Sequence, residues 1–596
     1  SIGDYALLSD CQAAALVSRD GSVDWYCPAR FDAPAVFTRL LDPEGGHWSI
    51  RPRQEAEVSR GYLGDTMVLR SEFQTEEGRV AVTDALALGP GERGHEIGVT
   101  SPHMLVRRVE GIEGSVELEM EFAPRPEYGL TTPILIVTDT GVSAHGGPVE
   151  LALEADCSLQ VEGSLATARF TVRAGEAVNF RLAYRRAFGE ANPARPVLDV
   201  ASLLEETRQG WQSWSDLHTR YDGPYRELVK RSAVVLQALT YQPSGAVIAA
   251  ATTSLPEIPG GDANWDYRFV WLRDLGLTLR ALWVASCSDE AAALFQWMSR
   301  ANGGEISERQ HVQIMYGVEG ERDLTEHTLE HLRGFAGSAP VRVGNDAWRQ
   351  TQLDVLGEVI DAAYLLRDQL GDQFDDITAR LIAALAERAA SAWSEPDAGM
   401  WEARDRQRHY LSSKVMCWVA LDRAIMLAPR LGDHAQVERW QPARAEIREA
   451  ILEQGWSERA GAYTGAFGSD QLDASVLLMP LMDFLPATDE RIRSTIDAIA
   501  AELASDGLVH RWSGDEKGFF ICTYWLVECF ARAGELDRAI ELFERTTPYA
   551  NDIGLLAEMG DPATGEMWGN FPQAFSHVGL INAAWGIAEG QRGRWS

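Results

Sequence analysis

The sequence predicts a multidomain β + α chain: an N-terminal antiparallel β-sandwich followed by an (α/α)6 barrel of twelve helices. Three observations predict it. The chain has 596 residues, too many for one ordinary core. Its apolar residues alternate with period two up to about residue 220 and recur with a helical period from about residue 224. The helical part divides into twelve segments without a short fixed repeat, which favours a closed barrel over an open solenoid. The division this implies is 1–220 for the sandwich with its linker and 221–596 for the barrel.

In the first part, Val116, Leu118, Met120 and Phe122 alternate with Glu117, Glu119 and Glu121. Phe170 and Val172 alternate with Thr171 and Arg173, and Phe180 and Leu182 with Arg181 and Ala183. The runs 68–73 and 134–137 are also strand-like. Turn clusters such as Gly146-Gly147-Pro148 and Gly163-Ser164 separate them. Many short alternating strands with frequent turns make a sandwich.

The twelve helix candidates are about 224–243, 269–287, 289–302, 348–371, 374–394, 412–429, 433–455, 470–483, 488–505, 517–534, 536–549 and 572–589. Several, such as Val415-Met416-Cys417-Trp418-Val419-Ala420-Leu421, are apolar on most faces and belong in an interior. In an alternating barrel all odd-to-even loops emerge at one end. Those loops carry Asn264-Trp265-Asp266-Tyr267, Gly344-Asn345-Asp346, Trp401-Glu402, Trp456, His510-Arg511-Trp512 and Glu558. Tryptophans and carboxylates are thus expected at one mouth.

Bulk properties narrow the function. A net charge of −34 argues against nucleic acid and anionic membrane surfaces and fits a small neutral substrate. No apolar run reaches the ~20 residues a membrane span needs, and no signal peptide is visible. The seven cysteines are scattered without a C-x-x-C pair, which points to buried thiols in a reducing cytoplasm. There is no phosphate loop, zinc helix or nucleophile elbow. Nothing in the sequence separates a monomer from a homo-oligomer.

Two glutamates in polar, aromatic-rich loops suggest the chemistry. Glu402 lies in Met400-Trp401-Glu402-Ala403-Arg404, and Glu558 precedes Trp568-Gly569-Asn570-Phe571-Pro572-Gln573. Inverting hydrolysis of a glycoside needs one carboxylic acid to protonate the leaving oxygen and one carboxylate to deprotonate water. An aromatic wall raises a carboxyl's pKa by desolvation, the part Trp401 would play beside Glu402. Arg273 and Asp274 would either hold two sugar hydroxyls or simply close a helix start as an ion pair. Gln350, Gln352 and Asp354 open the fourth helix and carry little signal alone. His409 and His577, near the glutamates, fit hydrogen-bonded packing better than catalysis. The mechanism needs no metal and no organic cofactor.

At these segments the sequence resembles glycoside hydrolase family 15, the glucoamylase family, and particularly its bacterial trehalase-like branch. The resemblance runs through Gly3-Asp4-Tyr5, Gly21–Trp25, Arg30–Pro34, Asn264–Asp274, Gly344-Asn345, Gln350–Glu358, Trp401-Glu402, Ser413–Met416, Phe520–Trp525 and Asn551–Leu580. It implies an N-terminal β-sandwich, a catalytic (α/α)6 barrel and inverting hydrolysis of terminal α-D-glucosyl bonds. Trehalose is the leading substrate, with isomaltose or short α-glucans the alternative. By motif match Glu402 resembles the general acid and Glu558 the general base. Arg273 and Asp274 resemble the pair that holds the non-reducing-end glucose, and Trp271, Trp401, Trp348 and Trp265 are candidate substrate contacts. Three departures stand near the expected mouth: Tyr410-Leu411-Ser412-Ser413-Lys414, Met559, and a short loop at 515–518. Two rival readings are an inverting phosphorylase, which would not need Glu558, and a non-catalytic sugar-binding or regulatory protein, which predicts loss of one carboxylate where both are present.

Overall fold

One long strand, Met104–Ala123, joins the two sheets of the N-terminal domain. Its first half pairs with Gly78–Leu86 and Ala177–Arg186, its second half with His47–Pro52 and Leu165–Arg173, all antiparallel. The register sets Phe122 opposite Trp48, Met120 opposite Ile50 and Leu118 opposite Phe170. Alternation buries Val116, Leu118, Met120 and Phe122 and turns the glutamates between them outward, as the pattern predicted. Fourteen strands take part. Across the sandwich Phe180 meets Trp48 at 6.4 Å and Phe170 at 5.6 Å between ring centroids. Arg107 is fully buried there, paired to Asp84 at 2.8 Å and donating to the carbonyls of Trp48 and Gly21, so every charge has a partner.

The computed structural model describes residues 1–188, 199–218, 220–302, 312–371 and 373–594. Among them a helix precedes the barrel that the periodicity did not separate from the linker: α1, Val200–Leu217, capped by Asp199 and buried through Trp211 and Trp214. The twelve predicted helices follow. They are α2 (Arg226–Ala238), α3 (Leu275–Val284), α4 (Ser288–Ala301), α5 (Asp354–Leu365), α6 (Asp376–Ala392) and α7 (Leu411–Leu431), then α8 (Val437–Gln454), α9 (Leu478–Leu481), α10 (Glu490–Glu502), α11 (Phe520–Arg532), α12 (Leu536–Thr546) and α13 (Ala574–Gln591).

Helices α3, α5, α7, α9, α11 and α13 touch in a closed ring, each packing on the next and α13 returning to α3. They are buried on nearly all faces; α11 is buried from Phe520 through Ala531. The remaining six wrap around them with one apolar stripe each, such as Ala539, Phe543 and Thr546 of α12. Glycine permits the closest approach: a Cβ at Gly357 of α5 would lie 2.3 Å from the Met416 carbonyl of α7. Three inner helices start later than periodicity suggests, α9 after a 3-10 turn at Ala474–Leu477. Val270–Trp271 pairs as a strand with Met315–Tyr316 before α3, and Asp346–Arg349 is a separate 3-10 turn before α5. Pro480 within the short α9 cannot donate to the helix ladder. Every inner helix begins after a loop that leaves an outer helix, so six positive helix ends converge on one mouth.

Candidate active site

The loops before α3, α7, α11 and α13 enclose a cavity of about 340 Å³ that contains both Glu402 and Glu558. Arg273, Asp274, Trp271, Trp401 and Trp265 line the same space. Residues up to 326 positions apart (Ala249 and Phe575) therefore line one space only because the ring closes.

Glu402 sits in a left-handed backbone conformation, φ 57°, which is uncommon for a residue with a side chain. The turn is made possible by Gly399, φ 69°, where a Cβ would strike the Tyr410 ring at 2.5 Å. The carboxylate oxygen Oε1 accepts from the Trp271 indole at 2.6 Å and from Arg273 at 3.2 Å. Gln350 donates to the Glu402 carbonyl at 3.2 Å, and Gln352 donates to Gln350 at 3.0 Å. The two glutamines thus brace the loop backbone. The Glu402 side chain keeps 20% of its surface open.

Glu558 is 2% exposed. Its Oε1 accepts from the Tyr267 hydroxyl at 2.7 Å and the Gln573 amide at 3.2 Å. Gly569, φ 79°, leaves room for the other oxygen: a Cβ there would lie 2.7 Å from Oε2. Burial pushes the carboxyl up to about 8, and the nearby Glu257 charge adds to the rise, against Tyr267 and Arg511. The tyrosine also bridges the site, since its ring packs on Trp271 at 5.3 Å, the residue bonded to Glu402.

Arg273 Nε lies 3.6 Å from Asp274 Oδ1, and Nη1 donates to the Met400 carbonyl at 2.5 Å. Asp274 Oδ1 is buried without a hydrogen-bond partner, an acceptor ready for a ligand hydroxyl. Burial raises Asp274 to about 6, with Arg273 opposing and Glu402 adding. Asp354, at the start of α5, is raised by burial to about 7 for the same reason, and both its oxygens lack partners. The cavity therefore contains or overlies an acidic set balanced by few cations.

A model of the glycosyl hydrolases family 15 matches residues 223–585, which span the barrel and both glutamates. The chain belongs to this family. A second model, trehalase-like N-terminal, matches residues 1–197. The trehalase of Mycolicibacterium smegmatis is 38% identical over 98% of this chain and 90% of its own length. The trehalase of Thermoplasma volcanium is 30% identical over 97% of this chain and 92% of its own. A bacterial glucoamylase solved in complex with acarbose superposes with a TM-score of 0.72 over 99% of this chain and 96% of that one, at 14% identity, and so shows the fold.

Not every residue the motifs suggested lies in this family 15 cavity. Trp348 is not among its lining residues; it occupies the 3-10 turn Asp346–Arg349, with the Arg349 guanidinium 4.9 Å from its ring. The Trp401 indole donates to Asp473 at 3.0 Å, so its ring stands as a wall while Trp271 makes the bond to Glu402. Trp265 is stacked by Arg404 at 3.8 Å and Arg342 at 4.5 Å. His577 is a packing residue: it accepts from the Leu556 amide at 3.2 Å and bonds Ser232 at 2.9 Å. His409 stacks on Phe467 at 6.4 Å.

Of the three departures, two are structural. Leu411 and Ser412 are buried in the first turn of α7, and buried Met559 pairs with Trp568 in a small sheet. The 515–518 loop acts on the cavity through Arg511, which lines it. Asp515 holds Arg511 at 2.9 Å, and Arg511 donates to Glu257 at 2.7 Å. Glu257, Tyr267, Gln573 and Arg511 line the cavity but were not singled out from sequence. Arg511 had one signal, the adjacent Trp512 with Asp515 four residues on. Glu257 had none, because its partner is 254 positions away.

Proposed function

We propose that this cavity hydrolyses the terminal α-D-glucosyl bond of a small α-glucoside, trehalose foremost, with inversion. The observation that carries it is the single cavity holding Glu402, Glu558 and the Arg273–Asp274 pair. The relatives named trehalase, aligned over nearly the whole chain, support trehalose over isomaltose or short α-glucans. Arg273 and Asp274, whose Oδ1 accepts no hydrogen bond, hold hydroxyls of the non-reducing glucose, with Trp271, Trp401 and Trp265 as walls. Glu402, the more open carboxyl, protonates the glycosidic oxygen. Glu558 takes a proton from water as that water attacks the anomeric carbon from the opposite face. The bond from carbon to glycosidic oxygen breaks as the bond to water oxygen forms. Glu402 ends ionised and Glu558 protonated, and exchange with solvent restores both. The free state of all seven cysteines, six of them buried, fits work in a reducing cytoplasm.

One observation favours the reverse roles: a carboxyl raised to about 8 carries a proton at neutral pH and resembles an acid. α-D-Glucosyl fluoride separates the two, because fluoride leaves without a proton donor. Glu402→Gln is expected to lose trehalose hydrolysis by several orders of magnitude while retaining fluoride hydrolysis; Glu558→Gln loses both. The opposite pattern reverses the roles. Proton NMR of the wild type on trehalose tests the stereochemistry. Inversion yields α- and β-glucose in equal amounts at first, one from each half. Only α-glucose, or glucose 1-phosphate that appears with phosphate, would refute the reading.

A further inference from the structure

Outside the catalytic cavity, three parts of the chain meet at one polar cluster. His95 comes from the 3-10 turn Gly94–Glu96 of the sandwich, His218 directly follows α1, and Glu290 lies in the first turn of α4. His95 Nδ1 is 2.8 Å from Glu290 Oε1, and His218 Nε2 is 3.7 Å from the same oxygen. The Trp214 indole also donates to that oxygen, at 2.8 Å, and its ring packs 4.2 Å from the His218 ring. One ligand atom from each of His95, His218 and Glu290 lies within 4.8 Å of the others.

The far nitrogens decide what faces the cluster. His218 Nδ1 is 2.9 Å from the Ser286 carbonyl, which can only accept, so that nitrogen carries the proton. His95 Nε2 lies 3.3 Å from the Asp289 carboxylate, again an acceptor. In a neutral imidazole this leaves a lone pair on His218 Nε2, aimed at the Glu290 carboxylate, whereas His95, with a carboxylate beside each nitrogen, can turn either one to the cluster. His218 Nε2 and Glu290 Oε2 are buried without any hydrogen-bond partner, and the two side chains are 2% and 6% exposed. A buried imidazole lone pair and a buried carboxylate facing one another repel unless a cation lies between them, and His95 Nδ1 stands where it can be the third ligand. Imidazoles with the outer N–H tied to a carbonyl or carboxylate are the arrangement that orients metal ligands. Metal–nitrogen bonds of about 2.0–2.1 Å in a tetrahedron set ligand atoms about 3.3 Å apart. The distances here, 2.8 and 3.7 Å, bracket that value.

We propose that His95, His218 and Glu290 form a structural zinc site that clamps the sandwich, the linker helix and the barrel together. Two imidazoles and one carboxylate suit zinc, whereas magnesium and calcium prefer oxygen ligands throughout. The fourth position is left to water, reached past His95, whose side chain is 38% exposed. None of the three residues lines the catalytic cavity, so the ion holds the parts in place and takes no part in hydrolysis.

The test uses full-length protein stripped with a chelator and titrated with zinc alone or magnesium alone against a chromophoric competitor. One zinc per chain is expected, bound at least ~100-fold more tightly than magnesium, with a zinc-dependent rise in Tm. His95→Ala removes a ligand from an accessible turn and is expected to weaken zinc by at least ~100-fold while its circular dichroism stays that of the wild type. Asp289→Asn, which leaves all three ligands, is expected to weaken zinc by ~10-fold. Absence of zinc binding at micromolar free zinc, equal affinity for magnesium, or zinc affinity unchanged in His95→Ala would overturn the proposal.

Discussion

The proposed mechanism needs Glu558 ionised, and Glu257 is the side chain that most opposes this after burial itself. With the carboxyl at about 8, its ionised share is ~1% at pH 6, ~10% at pH 7 and half at pH 8. As general base it makes kcat/KM climb nearly tenfold from pH 6 to 7 and level off above about pH 8. Glu257→Gln removes the like charge yet keeps an oxygen to accept from Arg511, which donates to Glu257 at 2.7 Å. Loss of one neighbouring like charge lowers a carboxyl by about one unit or more, and each unit is worth ~1.4 kcal/mol. The acid limb is therefore expected to move down by about one unit. At pH 6 the variant, relative to its own plateau, should run ~10-fold ahead of the wild type. Initial rates of glucose release from trehalose well below KM, measured from about pH 5 to 9, give the limb directly. A limb that stays or moves upward would refute the role of Glu257. A wild-type kcat/KM that falls through pH 8 would make Glu558 the proton donor.

Three further outcomes follow from the geometry. Because the folded carboxyl of Glu558 lies near 8 against an ordinary 4.5, the folded state binds the extra proton between those values, and stability falls as pH rises through that window. The cost at pH 7 is about 3 kcal/mol, so Glu558→Gln should melt above the wild type at pH 8, with the gap closing by about pH 4.5 in thermal scans. Trp271→Phe keeps the wall but deletes the 2.6 Å indole bond to Glu402; kcat for trehalose should fall ~10–100-fold with a smaller change in KM, as steady-state kinetics would show. Asp266→Asn breaks the fully buried pair with Arg268, 2.6 Å, and should lose about 3–5 kcal/mol in urea titrations.

The helical period was legible because the inner helices are apolar all round and the outer ones have one stripe, so twelve segments stood out by composition. Helix α1 was not, because its buried Trp211 and Trp214 sit in polar text next to the linker. Glu402 and Glu558 could be placed at one mouth because alternation in a closed ring fixes which loops share an end. Their partners were only half legible. Tyr267 lies in the motif that carries Arg273, yet nothing local says that its hydroxyl serves a carboxylate 291 positions away. Trp348 misled for the opposite reason: an aromatic in a mouth loop looks like a wall, but the 3-10 turn sets it beside Arg349 and outside the cavity's lining.

Several N-terminal motifs far from the mouth acquire a reason from the contacts they make. Asp266, inside the most polar-aromatic segment, points away from the cavity: it holds Arg268 and accepts from the Gly344 amide at 3.1 Å. Arg268 in turn donates to the Ala33 carbonyl at 3.1 Å and lies 5.7 Å from the Trp25 ring, both in the sandwich. The Trp25 indole donates to the Ala251 carbonyl at 2.9 Å, beside the loop that carries Glu257. On the other side of the mouth, Asn551 donates to the carbonyls of Gly3 and Tyr5 and accepts from the Leu555 amide, three residues before Glu558. The two loops that set Arg273 and Glu558 are thus tied to the sandwich at their backs, where no sugar reaches. A catalytic carboxylate must be held within a fraction of an ångström of its working position, and loops alone do not supply that. Gly3, Tyr5, Trp25 and Ala33 of the sandwich thus give the loops that carry Arg273 and Glu558 a fixed backing that the barrel alone does not supply.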